Sequence, residues 1–78
     1  MLVTSAQVRA ARGLLNWTVR DLAEEAGVHR NTITNFETGR YGGDPAVNMA
    51  ISAALERAGV KFIPENGGGA GVRLKTRG

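Results

Sequence analysis

The chain predicts a mainly α domain with a C-terminal β-hairpin, and three observations predict it. Small and apolar side chains recur at three- and four-residue intervals through residues 5–58, the spacing of a buried helical face. Gly27 and Gly39 each follow such a run, where a helix would end in a left-handed residue. After Gly59 the pattern changes to alternation, in Val60-Lys61-Phe62-Ile63 and again in Val72-Arg73-Leu74-Lys75, with a Gly-rich stretch between.

The elements follow in order. Thr4-Ser5-Ala6-Gln7 has the form of a capping box, so a first helix starts at Ser5. Val8, Ala11 and Leu15 make its apolar stripe, and Asn16 is its left-handed terminator. Thr18 caps a second helix, Val19 to Ala26, with Asp21 as the acidic partner near its start. Leu22, Ala23 and Ala26 face inward there, and Glu24 and Glu25 outward. A third helix, Arg30 to Thr38, starts beside His29 and turns Ile33 and Phe36 inward. Asp44-Pro45 pairs an N-cap with a proline at the first helical position, and the fourth helix runs to Ala58. Val47, Ala50, Ile51, Ala54, Leu55 and Ala58 form its buried face. The last two segments make a hairpin with Phe62 or Val60 and Val72 or Leu74 on its apolar side. A lone two-stranded hairpin is marginal in water, so this one must pack on the helices or on another chain.

Composition sets bounds on function. The chain has 78 residues and no Cys, which excludes disulfides and Cys-based zinc sites. One small domain is expected, near the size where a single core is marginal. A cytoplasmic setting fits. Pro45 to Leu55, the longest uncharged stretch near the middle, falls far short of the ~20 residues of a membrane span. No signal peptide is apparent at the N-terminus. Residues 1–60 carry six basic and six acidic side chains, a net charge of zero. Residues 61–78 carry Lys61, Arg73, Lys75 and Arg77 against Glu65, so the whole formal charge of +3 lies there. A basic C-terminal part favours polyanions.

Catalysis finds no support. His29 is the only His, and no nucleophile–base pair or paired carboxylate is evident, so no enzyme activity, cofactor, metal or small-molecule substrate is expected. The run Gly67-Gly68-Gly69-Ala70-Gly71 lacks the Lys-Ser/Thr of a phosphate loop and reads as a turn.

Residues 19–36 have the spacing of a helix-turn-helix: small Ala23 at the helix crossing and Gly27 in the turn. In such a motif the second helix enters the DNA major groove. Arg30, Asn31, Thr34 and Asn35 lie opposite Ile33 and Phe36 or toward the helix start. Arg suits guanine and Asn suits adenine, so these four are the candidate base-reading residues. Thr18, Arg20, His29, Thr32, Arg40 and Tyr41 flank them as candidate phosphate contacts.

Ala11-Arg12-Gly13-Leu14-Leu15-Asn16-Trp17-Thr18, Asp21-Leu22-Ala23, Ala26-Gly27-Val28, Thr32-Ile33 and Phe36-Glu37-Thr38-Gly39-Arg40 together resemble the Cro and phage-repressor (XRE-like) family of small bacterial or phage regulators. The resemblance covers roughly residues 5–58. Gly59 to Gly68 is similar to an extension of small bacterial regulators in that family. The resemblance implies a four- to five-helix, repressor-like DNA-binding domain, here with a C-terminal β-hairpin, that binds an operator sequence-specifically and acts as a homodimer. It also implies that Arg12 and Glu37 form a partly buried, structural ion pair between the first and third helices. Two positions depart from the family's pattern: Val19 stands where Gln is frequent, and His29 where Ser or Thr is usual. The expected organisation is a helix-turn-helix domain over residues 1–60 and a hairpin with a basic tail over 61–78. An antitoxin-like protein-interaction module of a toxin–antitoxin pair is the alternative function.

Overall fold

The computed structural model describes residues 2–40 and 44–75. Among them are four helices and one hairpin: α1 (Ser5–Leu15), α2 (Val19–Ala26), α3 (Arg30–Glu37), α4 (Pro45–Arg57), β1 (Val60–Ile63) and β2 (Gly71–Leu74). The mainly α class with a C-terminal hairpin is therefore observed.

Each helix begins where a side chain can take up a free amide. The Thr4 hydroxyl accepts from the Gln7 amide (3.1 Å) while Gln7 Oε1 accepts from the Thr4 amide (2.9 Å), a complete capping box. Thr18 and Asp21 repeat it at α2, at 2.9 and 3.0 Å. At α3 the cap is His29, whose Nδ1 accepts from the Asn31 amide at 3.0 Å, so an imidazole replaces the usual hydroxyl. At α4 the Asp44 carboxylate accepts from Ala46 at 2.9 Å, and Pro45, with no N–H to lose, follows it. The stops are equally local. Asn16 at φ 57° ends α1, and Gly27 at φ 71° ends α2.

Two helices end one residue earlier than the periodicity predicts. Thr38 is the C-cap of α3, and its hydroxyl donates back to the Thr34 carbonyl at 2.9 Å. Ala58 is the C-cap of α4. Both residues satisfy helical carbonyls without being inside the helix.

The core gathers Val8 and Ala11 of α1, Leu22 and Ala23 of α2, Ile33 and Phe36 of α3, Ile51, Ala54 and Leu55 of α4, and Val60 and Phe62 of β1. Leu22, Ile33, Ile51 and Leu55 are wholly buried, each contributing about 1.5–3 kcal/mol by leaving water. α2 packs on α3 and α4, and α1 packs on α3 and α4 as well.

The hairpin is antiparallel, with Val60 opposite Leu74, Lys61 opposite Arg73, Phe62 opposite Val72 and Ile63 opposite Gly71. β1 lies on α4 and β2 on α1. Val60 and Phe62 are buried and Val72 is half-buried, but Leu74 is exposed. The apolar side of the hairpin therefore narrows toward the end of β2.

Two buried amides hold the ends of the fold. Gln7 Nε2 donates to the Ile63 carbonyl (3.2 Å) and to the Gly71 carbonyl (3.0 Å), clasping both strands where the loop begins and ends. Asn48 of α4 accepts from the Val3 amide (3.0 Å) and donates to the Val3 carbonyl (2.8 Å), which pins the segment before α1.

Candidate nucleic-acid interface

The candidate interface is built on α3. Ile33, Phe36 and Glu37 are its buried residues, and each lies within one arc of the helix. At 100° per residue, Asn31 and Asn35 fall on the opposite arc, Thr34 falls between the two, and Arg30 sits at the N-terminal end of the helix about 20° round from Glu37. All four are exposed. Together these exposed side chains offer one guanidinium, two carboxamides and a hydroxyl, with no carboxylate among them. Such a set can donate to guanine O6 and N7, pair bidentately with adenine, and leave no negative charge against phosphate.

α3 is held in place by a single polar junction. Arg12 Nε donates to Glu37 Oε2 at 2.6 Å and Arg12 Nη2 to Glu37 Oε1 at 2.8 Å, a two-pronged pair. The third nitrogen, Nη1, donates to the Trp17 carbonyl at 2.9 Å. One guanidinium thus fixes the end of α3 against both α1 and the turn into α2. Arg9 adds a hydrogen bond to the Glu37 carbonyl. Hydrogen bonding by Glu37 holds the Arg12 guanidinium above its ordinary pKa; burial opposes this and the Glu37 charge adds to it. Glu37 is only 6% exposed, so a carboxylate without this partner would be strongly destabilising there.

The flanking residues are less uniform. Arg20 and Arg40 are exposed, and Thr32 is half-buried beside the start of α3. The Thr18 hydroxyl already accepts from the Asp21 amide, so toward a phosphate it has only its own proton to offer. His29 is in a similar position. With Nδ1 accepting from Asn31, the neutral ring carries its proton on Nε2, a donor for a group lying over the helix start. Tyr41 lies outside the described residues.

Sequence reasoning missed the wider roles of Gln7 and Asn48. Gln7 was legible only as half of a capping box, and Asn48 only as a polar interruption in an apolar helix. No spacing rule reveals that each amide bonds to backbone more than forty residues away. Among the described residues no cluster of three or more His, Cys, Asp or Glu could hold a metal ion. No described helix is long and apolar enough to cross a membrane.

A capped helix pair with a left-handed Gly turn and an exposed polar second helix is the architecture of DNA-binding transcriptional regulators of the Cro and repressor type. A family model described as helix-turn-helix matches residues 8–57, and the chain belongs to that helix-turn-helix family. The match spans the described helices from within α1 to the end of α4 and stops before the hairpin. No curated protein matches the chain closely enough to count as a relative.

Proposed function

We propose that the protein recognises a specific DNA site by seating α3 in the major groove, with Arg30, Asn31, Thr34 and Asn35 reading base edges. Thr18, Arg20, His29, Thr32, Arg40 and Tyr41 hold the flanking phosphates. The observation that carries this reading is the exposed, carboxylate-free set of side chains on α3, backed by buried Ile33, Phe36 and Glu37. One recognition helix reads too few base pairs to define a site, so the functional unit is a homodimer on a near-palindrome. Its two helices lie ~34 Å apart, one turn of DNA. Leu2 (59% exposed) and Met49 (63% exposed) line a groove with Phe62 on the outer side of α4, an apolar surface suited to the second copy. The protein acts in the cytoplasm, by occupancy, without catalysis.

The antitoxin-like alternative calls for a segment free to wrap a partner. β1 and β2 are instead packed on α4 and α1 and clasped by Gln7, which favours the DNA reading.

Selection from a random duplex library gives the site, and two variants then separate the roles. Asn35→Ala is expected to cost about 1–3 kcal/mol on the selected site and to relax preference at one base pair. Arg40→Ala is expected to weaken selected and random DNA alike and to lower the salt slope by about one. Equal losses on both DNAs for Asn35→Ala would remove it from base reading. One protein copy per selected site in sedimentation would overturn the dimer.

A further inference from the structure

We propose that the outward face of the hairpin is a second phosphate-binding surface, which takes the backbone of a duplex segment other than the one α3 reads. The proposal rests on the DNA-binding reading above. Val60 and Phe62 point into the core, so Lys61 between them points out. Arg73 and Lys75 follow the same alternation on the other strand, and all three cations are exposed. Lys75 is held in line with the ladder by its amide, which donates to the Gly59 carbonyl at 2.8 Å.

Charge is the first argument. Lys61 lies directly opposite Arg73 in the register, and like charges at such a position destabilise a strand pair. Among the described residues none of the three cations has a carboxylate at ion-pair distance; the sole ion pair there is Arg12 with Glu37. Glu56 lines the same shallow concavity as Lys61, Phe62, Arg73 and Lys75 but forms an ion pair with none of the three cations. A polyanion laid across the face converts this repulsion into attraction. A second copy does not: a two-fold contact through this face would set cations against cations.

Placement is the second argument. On α1, Gln7 bonds to the hairpin, whereas Arg9 and Arg12 bond to the end of α3. At 100° per residue, Gln7 lies roughly 160° from Arg9 and 140° from Arg12. The hairpin and α3 therefore flank α1 on opposite sides, and a duplex seated on α3 does not run over the hairpin's outer face. Ammonium and guanidinium groups with no carboxamide among them suit phosphate, not bases, so the second contact is independent of sequence.

The test uses the whole chain and mixed-sequence duplexes: one immobilised on beads and a second, fluorescent one in solution. The comparison is between the wild type and the triple variant Lys61→Gln/Arg73→Gln/Lys75→Gln. Wild type is expected to load on the beads and capture the fluorescent duplex at low salt. The triple variant is expected to load but to lose that capture, and its slope of log affinity against log salt should fall by about 2–3. Its melting temperature should not drop, because a repulsive pair has been removed. Lys61→Glu, which places opposite charges across the strands, should melt higher than wild type and still capture less. Unchanged capture and slope in the triple variant would overturn the proposal. So would a change in sedimentation behaviour with an unchanged salt slope, which would give the face to a protein partner. Wild type that loads without capturing overturns the hairpin surface alone; wild type that fails to load overturns the DNA reading with it.

Discussion

The helical bundle and the hairpin are held by different means. In the bundle, five wholly buried Val, Leu and Ile side chains from all four helices meet in one core, and a two-pronged ion pair fixes α3 upon it. The hairpin contributes Val60 and Phe62 to that core with half-buried Val72 packed against it, and one carboxamide bonds to a carbonyl of each strand. Strong local signals specify the first region, and both of its capping boxes close within four residues. The second has no independent stability and is defined by what it docks on. A dependent element of this kind can be loosened without dissolving the helix-turn-helix.

That contrast can be broken at three points. The largest effect is expected from Glu37→Ala, which strands the Arg12 guanidinium and costs about 3–5 kcal/mol in chemical denaturation. Arg12 has a raised pKa in the folded state, so its contribution is fully present below its unfolded value and is lost only as pH rises through the folded one. The difference between wild type and variant should therefore be the same at about pH 7 and about pH 9. A difference that vanished by the higher pH would mean another group supports the junction.

Phe62→Ala comes next, at about 3 kcal/mol, since it removes the largest apolar side chain of the hairpin. Amide exchange should then speed up in β1 and β2 well before it does in α2 and α3. Uniform acceleration in all elements would show that the two regions unfold as one unit.

Gln7→Glu is expected to have the smallest effect, about 1–3 kcal/mol. A carboxylate retains the acceptor that receives the Thr4 amide but cannot donate to Ile63 and Gly71. The α1 amides should keep their protection while the strand ends lose theirs. Loss of protection in α1 as well would assign Gln7 to the cap alone.

These differences also decide how much could be read from the residues alone. The helix starts were legible because Thr4, Thr18 and Asp44 bond to amides two or three residues on, and such bonds leave a pattern in the sequence. Asn16 and Gly27 were legible for the same reason, since the left-handed region admits few residue types. The outer arc of α3 followed from helical periodicity, and Arg12 with Glu37 from family resemblance. Burial of Leu74 was left open by the alternation of β2, and it is exposed although Val60, opposite it in the register, is buried. Gln7 and Asn48 could not be resolved, because a carboxamide signals nothing about which distant carbonyl it will meet. The face formed by Lys61, Arg73 and Lys75 needed the strand register, which places two cations opposite each other that are twelve positions apart in the chain.

The Gln7 amide also bears on how the protein comes off the ribosome. Its partner carbonyls, Ile63 and Gly71, are synthesised 56 and 64 residues after it. For most of that interval α3 and α4 are themselves still being made, and the side chain that will clasp the hairpin has only water to bond. The clasp is therefore among the last contacts the growing chain can close, after every helix has been made.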